Sequence, residues 1–363
     1  MSKDVNEEEN IADYLKRRAS DVNNAIDKYL NDATSSRNLD AILGKSGYKY
    51  DSEAIRKSIV EPSNYLFKQG GKRLRPVLML TIIDALGKDS DNYIEFSIIP
   101  EIIHTGTLIH DDMEDNSKVR RSGAAVHVKY GNDVALNLGD FMFYFPMLAL
   151  LKSDKIDDSE KQKVLDIYIS DMMKIGLGQA TDLAWHNGQV NPAHITEEKY
   201  LQMVHSKTGV LLGMAAKFGG VFGGANDKAI ESLGTFASTI GVAFQIQDDL
   251  LNIYPSGVSE SKGGVGDDIT EGKITLLVIH ALQHSNDSDK KRLVEILSLH
   301  TGDKKLINEA INIIDKSGAK EYVQKKSAQL VQDAWNDVSK NIPESYAKNK
   351  LKQIAEFVIQ RSI

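Results

Sequence analysis

The chain has 363 residues, 41% of them hydrophobic, enough to bury a large core in one big domain or two smaller ones. Its 44 lysines and arginines against 51 aspartates and glutamates leave a net charge of −7, which argues against a general nucleic-acid binder but permits a local basic patch that holds phosphate. There is no cysteine, so disulfides, zinc–thiolate sites and cysteine nucleophiles are excluded.

The N-terminus, MSKDVNEEEN, lacks the basic start and apolar core of a signal peptide. No apolar run reaches the roughly 18 residues of a membrane span; SIIPEIIHTGTLIH (97–110) is shorter and carries Glu101 and two histidines. A cytoplasmic protein without stable membrane insertion is expected. Residues 1–50 read as a peripheral N-terminal helical extension, with an amphipathic stretch at 11–30 and a polar one, NDATSSRNLD, at 31–40. An all-helical domain is expected over 51–363, because period-3.6 patterns recur at 163–185 and 229–254 while strand alternation is scarce. Seven prolines in the whole chain lie well below the usual ~5%. Breaks fall at the glycine pair 70–71, at KVRRSGAA (118–125), at NGQVNP (187–192) and at YPSGVSESKGGVGDD (254–268). The last is the longest and reads as a lid beside an acidic cluster. Helical patterns after Glu271 read as packing elements, and no repeat of fixed period suggests a solenoid.

Two acidic clusters stand out. In LIHDDMEDNSKVRR (108–121), Asp111 and Asp115 are four apart and share a helix face, about 5–6 Å between Cβ atoms. Two carboxylates at that distance repel by about 3 kcal/mol at an effective dielectric near 20, so a cation between them is expected. FQIQDDLLNI (244–253) ends an apolar helix with Asp248, Asp249 and Asn252. One such cluster is as well explained by a solvated helix end; two, each with cations nearby, are not. Hard oxygen ligands without sulfur favour Mg²⁺, which usually completes its shell with phosphate oxygens. The cations agree: Lys72, Arg73 and Arg75 in GGKRLRP, Arg120 and Arg121 after the first cluster, and Lys207 beside Thr208 in HSKTG. Guanidinium groups suit a permanently charged diphosphate. Two phosphate sites follow, one held through metal and one held directly by Lys and Arg.

GGKRLRP, the upstream His104, DDMED followed by RR, GQATDL, SKT and FQIQDD, in that order over roughly 60–290, resemble the trans-isoprenyl diphosphate synthases (polyprenyl synthetases). DDITEGKITLLVIHAL (267–282) looks most like the short-chain, geranylgeranyl diphosphate type. The resemblance implies an all-α fold, a single large helical bundle around a deep central cavity with the two aspartate-rich motifs at its mouth. It implies Mg²⁺, up to three ions with diphosphate, on Asp111, Asp112, Asp115, Asp248 and Asp182. It gives Lys72, Arg75, His104 and Arg121 to isopentenyl diphosphate, and Arg120, Lys207, Thr208, Gln245, Lys262 and Lys273 to the allylic diphosphate (dimethylallyl, geranyl or farnesyl). Arg120, Lys207, Thr208 and Gln245 are the catalytic candidates, and family members are usually homodimers.

In the implied reaction the allylic C–O bond ionises, the isopentenyl double bond attacks, and the diphosphate leaving group takes the proton, which explains why no side-chain base stands out. The second motif reads DDLLN where DDxxD is common, so Asn252 would be a neutral ligand. Gly106 and Thr107, five and four residues before Asp111, are small where bulky aromatics stop growth at farnesyl, and Phe143 and Tyr144 are candidates for the tunnel floor. A C20 product is expected. On pattern alone FMFYF (141–145) reads as core, and His110 as structural. The alternatives are a farnesyl or a longer-chain (C25 and above) synthase, an enzyme of the same fold but different reaction, such as a terpene cyclase, which GGKRLRP and DDLLN oppose, or a head-to-head condensing synthase, and a non-catalytic regulatory subunit.

Overall fold

The computed structural model describes residues 9–33, 39–40, 43–255 and 265–360. In chain order the helices are α1 (Ile11–Ala33), α2 (Ser52–Ile55), α3 (Glu61–Lys68), α4 (Leu74–Ala85), α5 (Ile98–Glu114), α6 (Val126–Tyr130), α7 (Asn132–Tyr144), α8 (Met147–Leu151) and α9 (Asp158–His186). After these come α10 (Glu197–Val204), α11 (Val210–Phe222), α12 (Asp227–Ile253), α13 (Asp267–Thr270), α14 (Leu276–His284), α15 (Asp287–Ser298), α16 (Lys304–Lys316), α17 (Ala319–Val338) and α18 (Tyr346–Gln360). Two single π-helical turns interrupt this sequence, at Arg56–Val60 and His205–Gly209. Among the described residues the one strand pairing is a two-residue antiparallel ribbon, β1 (Val119–Arg120) with β2 (Gly123–Ala124). The all-α expectation is met.

The chain divides into two compact units. The first comprises Met1–Leu165 with Phe218–Ala225 and Ser345–Ala347; the second comprises Asp166–Lys217, Asn226–Glu344 and Lys348–Ile363.

In the first unit, α4 is apolar all round (LRPVLMLTIIDA) and buries Val77, Leu78, Met79, Leu80, Ile82 and Ile83 completely, as a helix in a core does. The N-terminal helix, expected at the periphery, packs against it. Val22, Ile26 and Leu30 of α1 are buried, Tyr14 Oη shares a 2.9 Å hydrogen bond with Thr81 Oγ1, and Arg18 donates to Ser90 Oγ (2.6 Å) and Asp91 (2.9 Å). Its apolar residues recur at helical spacing, which is why a stretch so charged still buries a face. The helices α5 and α7 cross closely at Gly106 and Gly139. A Cβ on Gly106 would lie 2.9 Å from the Gly139 carbonyl, and one on Gly139 would lie 2.3 Å from His110 Nε2.

In the second unit, α12 runs along α17 and against the turn at His205–Gly209. Asn226 starts α12 by accepting from the Ala229 amide at 2.9 Å, satisfying one of the amides a helix start leaves orphaned. The core gathers Tyr200, Ile246, Leu250, Leu277, Leu293, Ile314 and Val323. Glycines again set the closest approach: a Cβ on Gly241 would stand 2.7 Å from the Gly209 Cα, and one on Gly213 would meet Ser238 Oγ at 2.1 Å.

The helical stretches Asn132–Leu151 and Asp227–Ile253 are each long and apolar enough to cross a membrane, with 44% and 61% of their apolar windows buried inside the protein. Core helices meet the same criterion, and α12 carries Gln245, Gln247, Asp248 and Asp249 within that length.

The glycine crossing in the second unit is testable. Gly241→Ala puts a methyl against backbone, which cannot rotate away as a side chain can, and is expected to cost about 1–3 kcal/mol of stability. Thermal denaturation of Gly241→Ala against Gly176→Ala, where a Cβ meets nothing within 4 Å, checks this.

Candidate active site

In the first unit, α5 carries Glu101, His104, Gly106, Thr107, His110, Asp111 and Asp112 on one helix. It ends at Asp115, whose amide still donates to the Asp111 carbonyl at 2.9 Å, so the four-residue spacing continues through the motif. The chain then turns at Asn116 (φ 51°) into the β1–β2 ribbon. A Cβ at position 123 would lie 2.5 Å from Tyr65 Oη, so glycine lets that side chain approach; the hydroxyl donates to the Ala124 carbonyl at 2.9 Å and docks the ribbon on α3. With the ribbon fixed, adjacent arginines reach opposite ways. Arg120 turns back to Asp112, its Nε 2.7 and 2.9 Å from the two carboxylate oxygens and its Nη2 also donating to Oδ1. The same Nη2 lies 3.7 Å from Asp111. Arg121, at φ 55°, donates to the Gly70 carbonyl in the GGK turn.

The basic residues of GGKRLRP divide by role. Arg73 is buried (2% exposed), and each of its three side-chain nitrogens donates: Nε to Asn23 Oδ1 at 2.7 Å, Nη1 to Glu101 at 2.8 Å and Nη2 to the Phe67 carbonyl at 3.1 Å. Lys72 is exposed. Arg75 has a buried Nε with no protein acceptor, and burial pushes its pKa down to about 10. Both amide atoms of Gln69, just before the glycine pair, are likewise buried without a protein partner. Buried polar atoms are normally satisfied, so the two donors, Arg75 Nε and Gln69 Nε2, mark a place for an acceptor the protein does not supply. Burial, and then the charges of Arg75, Arg121, Arg120 and Arg73, hold His104 well below the ordinary imidazole value, so it is neutral. Burial and the neighbouring Arg73 also depress Arg121. The pattern is that of a site short of negative charge.

In the second unit, the π-turn His205–Gly209 presents Lys207 and Thr208. Single π-turns are common at functional sites. Lys207 Nζ donates to Asp182 Oδ2 at 2.6 Å, and the Thr208 hydroxyl to Gln245 Oε1 at 3.3 Å. Gln245 Nε2 then donates to Asp249 Oδ1 at 2.9 Å, and the fully buried Tyr200 donates to Asp249 Oδ2 at 2.6 Å. Asp249 is therefore an internal anchor, its carboxyl raised by burial, while Asp248 beside it is exposed. Lys273 reaches Glu271 and lies 3.6 Å from Asp268, a nearly buried carboxylate raised by burial and by the charge of Asp249.

Several of the expected residues make contacts within the protein. Asp112, counted among the metal carboxylates, has both oxygens on Arg120 and is 2% exposed. Asp182, expected beside the metals, holds Lys207. The side-chain oxygen of Asn252 accepts from the Asp268 amide at 3.1 Å, fastening the start of α13. Phe143 stacks edge-on against His110 (5.2 Å) and would touch a Cβ on Gly106 at 3.1 Å, whereas Tyr144 is 70% exposed and away from that contact. Gly106 is small for a packing reason as well, since α7 passes over it. Lys262 and most of the expected lid (256–264) lie outside the described residues. Sequence reasoning missed Asn23, Glu101 and Tyr200. Glu101 is a lone acid in an apolar run, whereas Asn23 and Tyr200 stand among charged and polar neighbours, and only the fold reveals the partner of each.

The family model described as Polyprenyl synthetase matches residues 56–314. A short chain isoprenyl diphosphate synthase of Methanothermobacter thermautotrophicus is 36% identical over 311 residues, covering 85% of this chain and 92% of that one. A geranylgeranyl diphosphate synthase of Saccharolobus solfataricus is 35% identical, covering 84% and 91%. An octaprenyl diphosphate synthase of Escherichia coli is 29% identical, covering 82% and 88%. The crystal structure of geranylgeranyl pyrophosphate synthetase from Pyrococcus horikoshii superposes with a TM-score of 0.81 at 28% identity, covering 97% of this chain and 98% of that one. The chain therefore has the all-α isoprenoid synthase fold and belongs to the polyprenyl synthetase family of isoprenyl diphosphate prenyltransferases.

Proposed function

We propose that this chain is a Mg²⁺-dependent, chain-elongating prenyltransferase that joins isopentenyl diphosphate to dimethylallyl, geranyl or farnesyl diphosphate and releases geranylgeranyl diphosphate. One observation carries the reading: arginines crowd a neutral His104, and Arg75 Nε is left buried without a protein acceptor. Lys72, Arg75, His104 and Arg121 bind the isopentenyl diphosphate directly. Neutral His104 contributes an N–H without adding to the crowding of positive charge. Arg120, Lys207, Thr208 and Gln245, with Lys262 and Lys273, bind the allylic diphosphate.

The donor set fits a divalent metal. Asp111, Asp115 and Asp248 offer hard oxygens, and among the described residues no three acids or histidines form a ready-made cage. That suits Mg²⁺, which typically takes one or two carboxylates and completes its shell with substrate phosphate and water. When bound, it supplies charge neutralisation that makes diphosphate a better leaving group. The protein's cations hold the diphosphate as the allylic C–O bond breaks. The isopentenyl double bond forms the new C–C bond at the allylic carbon, and the proton lost passes to the released diphosphate, so no side-chain base is required. Asp112 serves as the anchor of Arg120, and the hydrogen-bonded series Tyr200–Asp249–Gln245–Thr208 fixes the carboxamide and hydroxyl.

Thr107 and Phe143 set product length in this reading. The exposed apolar residues Ile169, Met173 and Leu177, spaced four apart on α9, give an expected homodimer a candidate face. Residues 51–363 form the catalytic part.

The experiment is product sizing with Mg²⁺, isopentenyl diphosphate and each allylic primer in turn. A C20 product from all three is expected; a stop at C15 refutes the tunnel argument, and no elongation leaves the regulatory-subunit reading. Thr107→Phe is expected to shorten the product to C15, and Phe143→Ala to lengthen it to C25 or beyond, both read by chromatography of the dephosphorylated alcohols. Position 106 is unsuited to this test, because a side chain there collides with α7.

His104 generates a pH prediction. Its folded pKa lies below the unfolded value of 6.5, so the unfolded chain takes up the proton first as pH falls. Stability from this group is complete above pH 6.5 and is lost as pH drops below it. Denaturant midpoints at pH 7.5 and 5.5 are expected to differ less in His104→Gln than in the wild type.

A further inference from the structure

The matched family region begins at residue 56, yet α1, which ends at Ala33, reaches into the GGK turn. The link is Asn23. Its side-chain oxygen accepts from Arg73 Nε at 2.7 Å, and the same guanidinium donates to Glu101 and to the Phe67 carbonyl while lying over the Phe67 ring, 5.4 Å from its centroid. Arg73 thus ties α1 to the end of α3 and to α5, one turn before His104. Its backbone is in the left-handed region (φ 50°), which a non-glycine residue adopts only where surrounding contacts enforce it. Gly71, at φ 148°, lies directly on this guanidinium: a Cβ there would be 2.6 Å from Arg73 Nη1 and 3.0 Å from Arg121 Nη2. Lys72 and Arg75 flank Arg73, so the placement of both follows from where that side chain is held. Further α1 ties, Tyr14 to Thr81, Arg18 to Ser90 and Asp91, and Tyr29 to the Phe145 carbonyl, fasten the helix elsewhere than at the turn.

We propose that Asn23 is a positioning residue for the isopentenyl diphosphate site, through which α1 fixes the GGK turn by way of Arg73 and Glu101. The inference rests on the reading above that this turn binds the diphosphate of isopentenyl diphosphate. Replacing Asn23 leaves a buried guanidinium N–H without its acceptor, and Arg73 then shifts toward other acceptors and carries the turn with it.

The test is steady-state kinetics with each substrate varied separately, together with the thermal midpoint, for Asn23→Ala, Asn23→Asp and Lys72→Ala in the full chain. Asn23→Ala is expected to raise the KM for isopentenyl diphosphate about tenfold while leaving the KM for the allylic substrate near wild type. Asn23→Asp, which keeps an acceptor oxygen at the same position, is expected to restore the isopentenyl KM. An Asn23→Ala enzyme with unchanged isopentenyl KM, or with both KM values raised alike and a lowered thermal midpoint that Asn23→Asp does not restore, overturns the proposal. Lys72→Ala separates the two layers. If it raises the isopentenyl KM and Asn23→Ala does not, this inference alone fails. If Lys72→Ala has no effect, the assignment of the turn falls and the inference with it.

Discussion

Crowded positive charge around His104 is the constraint on which the first unit depends. Arg73, Arg75, Arg120 and Arg121 all depress its imidazole, and of the carboxylates that oppose them inside the unit the most deeply buried are Glu101 and Asp112, both 2% exposed. Each carboxylate is committed to one arginine, Glu101 to Arg73 and Asp112 to Arg120. Arg75 and Arg121 are left to meet their charge elsewhere. Burying uncompensated cations is costly, and a protein keeps them where a ligand completes the balance. A diphosphate does so with several oxygens at once, and because arginine never loses its proton the site stays charged at any working pH.

The second unit solves a different problem with comparable means. Its polar groups are not crowded charges but a linked series in which each donor meets one acceptor, from Tyr200 through Asp249 and Gln245 to Thr208. Such a series holds side chains in one arrangement because releasing any member strands a buried partner. It depends on the close approach of α12 to the π-turn, which the glycines at 209 and 241 permit. Backbone proximity comes first, and the hydrogen bonds follow from it.

Much of this was legible in the chain. Helical periodicity identified α1, α9 and α12 nearly to their ends, because each keeps an apolar stripe over many turns. The carboxylate pair at 111 and 115 and the cations of GGKRLRP and RR were legible because charges beside apolar runs are uncommon without a reason. What stayed hidden was which member of each cluster faces outward. Nothing local separates Asp111 from Asp112, or Arg73 from Arg75; the distinction comes from partners 8 to 50 positions away, Arg120 in one case and Asn23 in the other. Gly106 was legible as small, but the passage of α7 over it was not. The face that α1 buries stayed hidden for a related reason, since charged residues surround it along the helix.

The most direct test of the central claim is calorimetric titration of isopentenyl diphosphate into the protein in EDTA, repeated at increasing salt. The account predicts binding without divalent metal that weakens steeply as salt rises, because Lys72, Arg75 and Arg121 hold the diphosphate themselves. Binding that vanishes in EDTA and returns with Mg²⁺ would contradict it, and would move this substrate to the carboxylates.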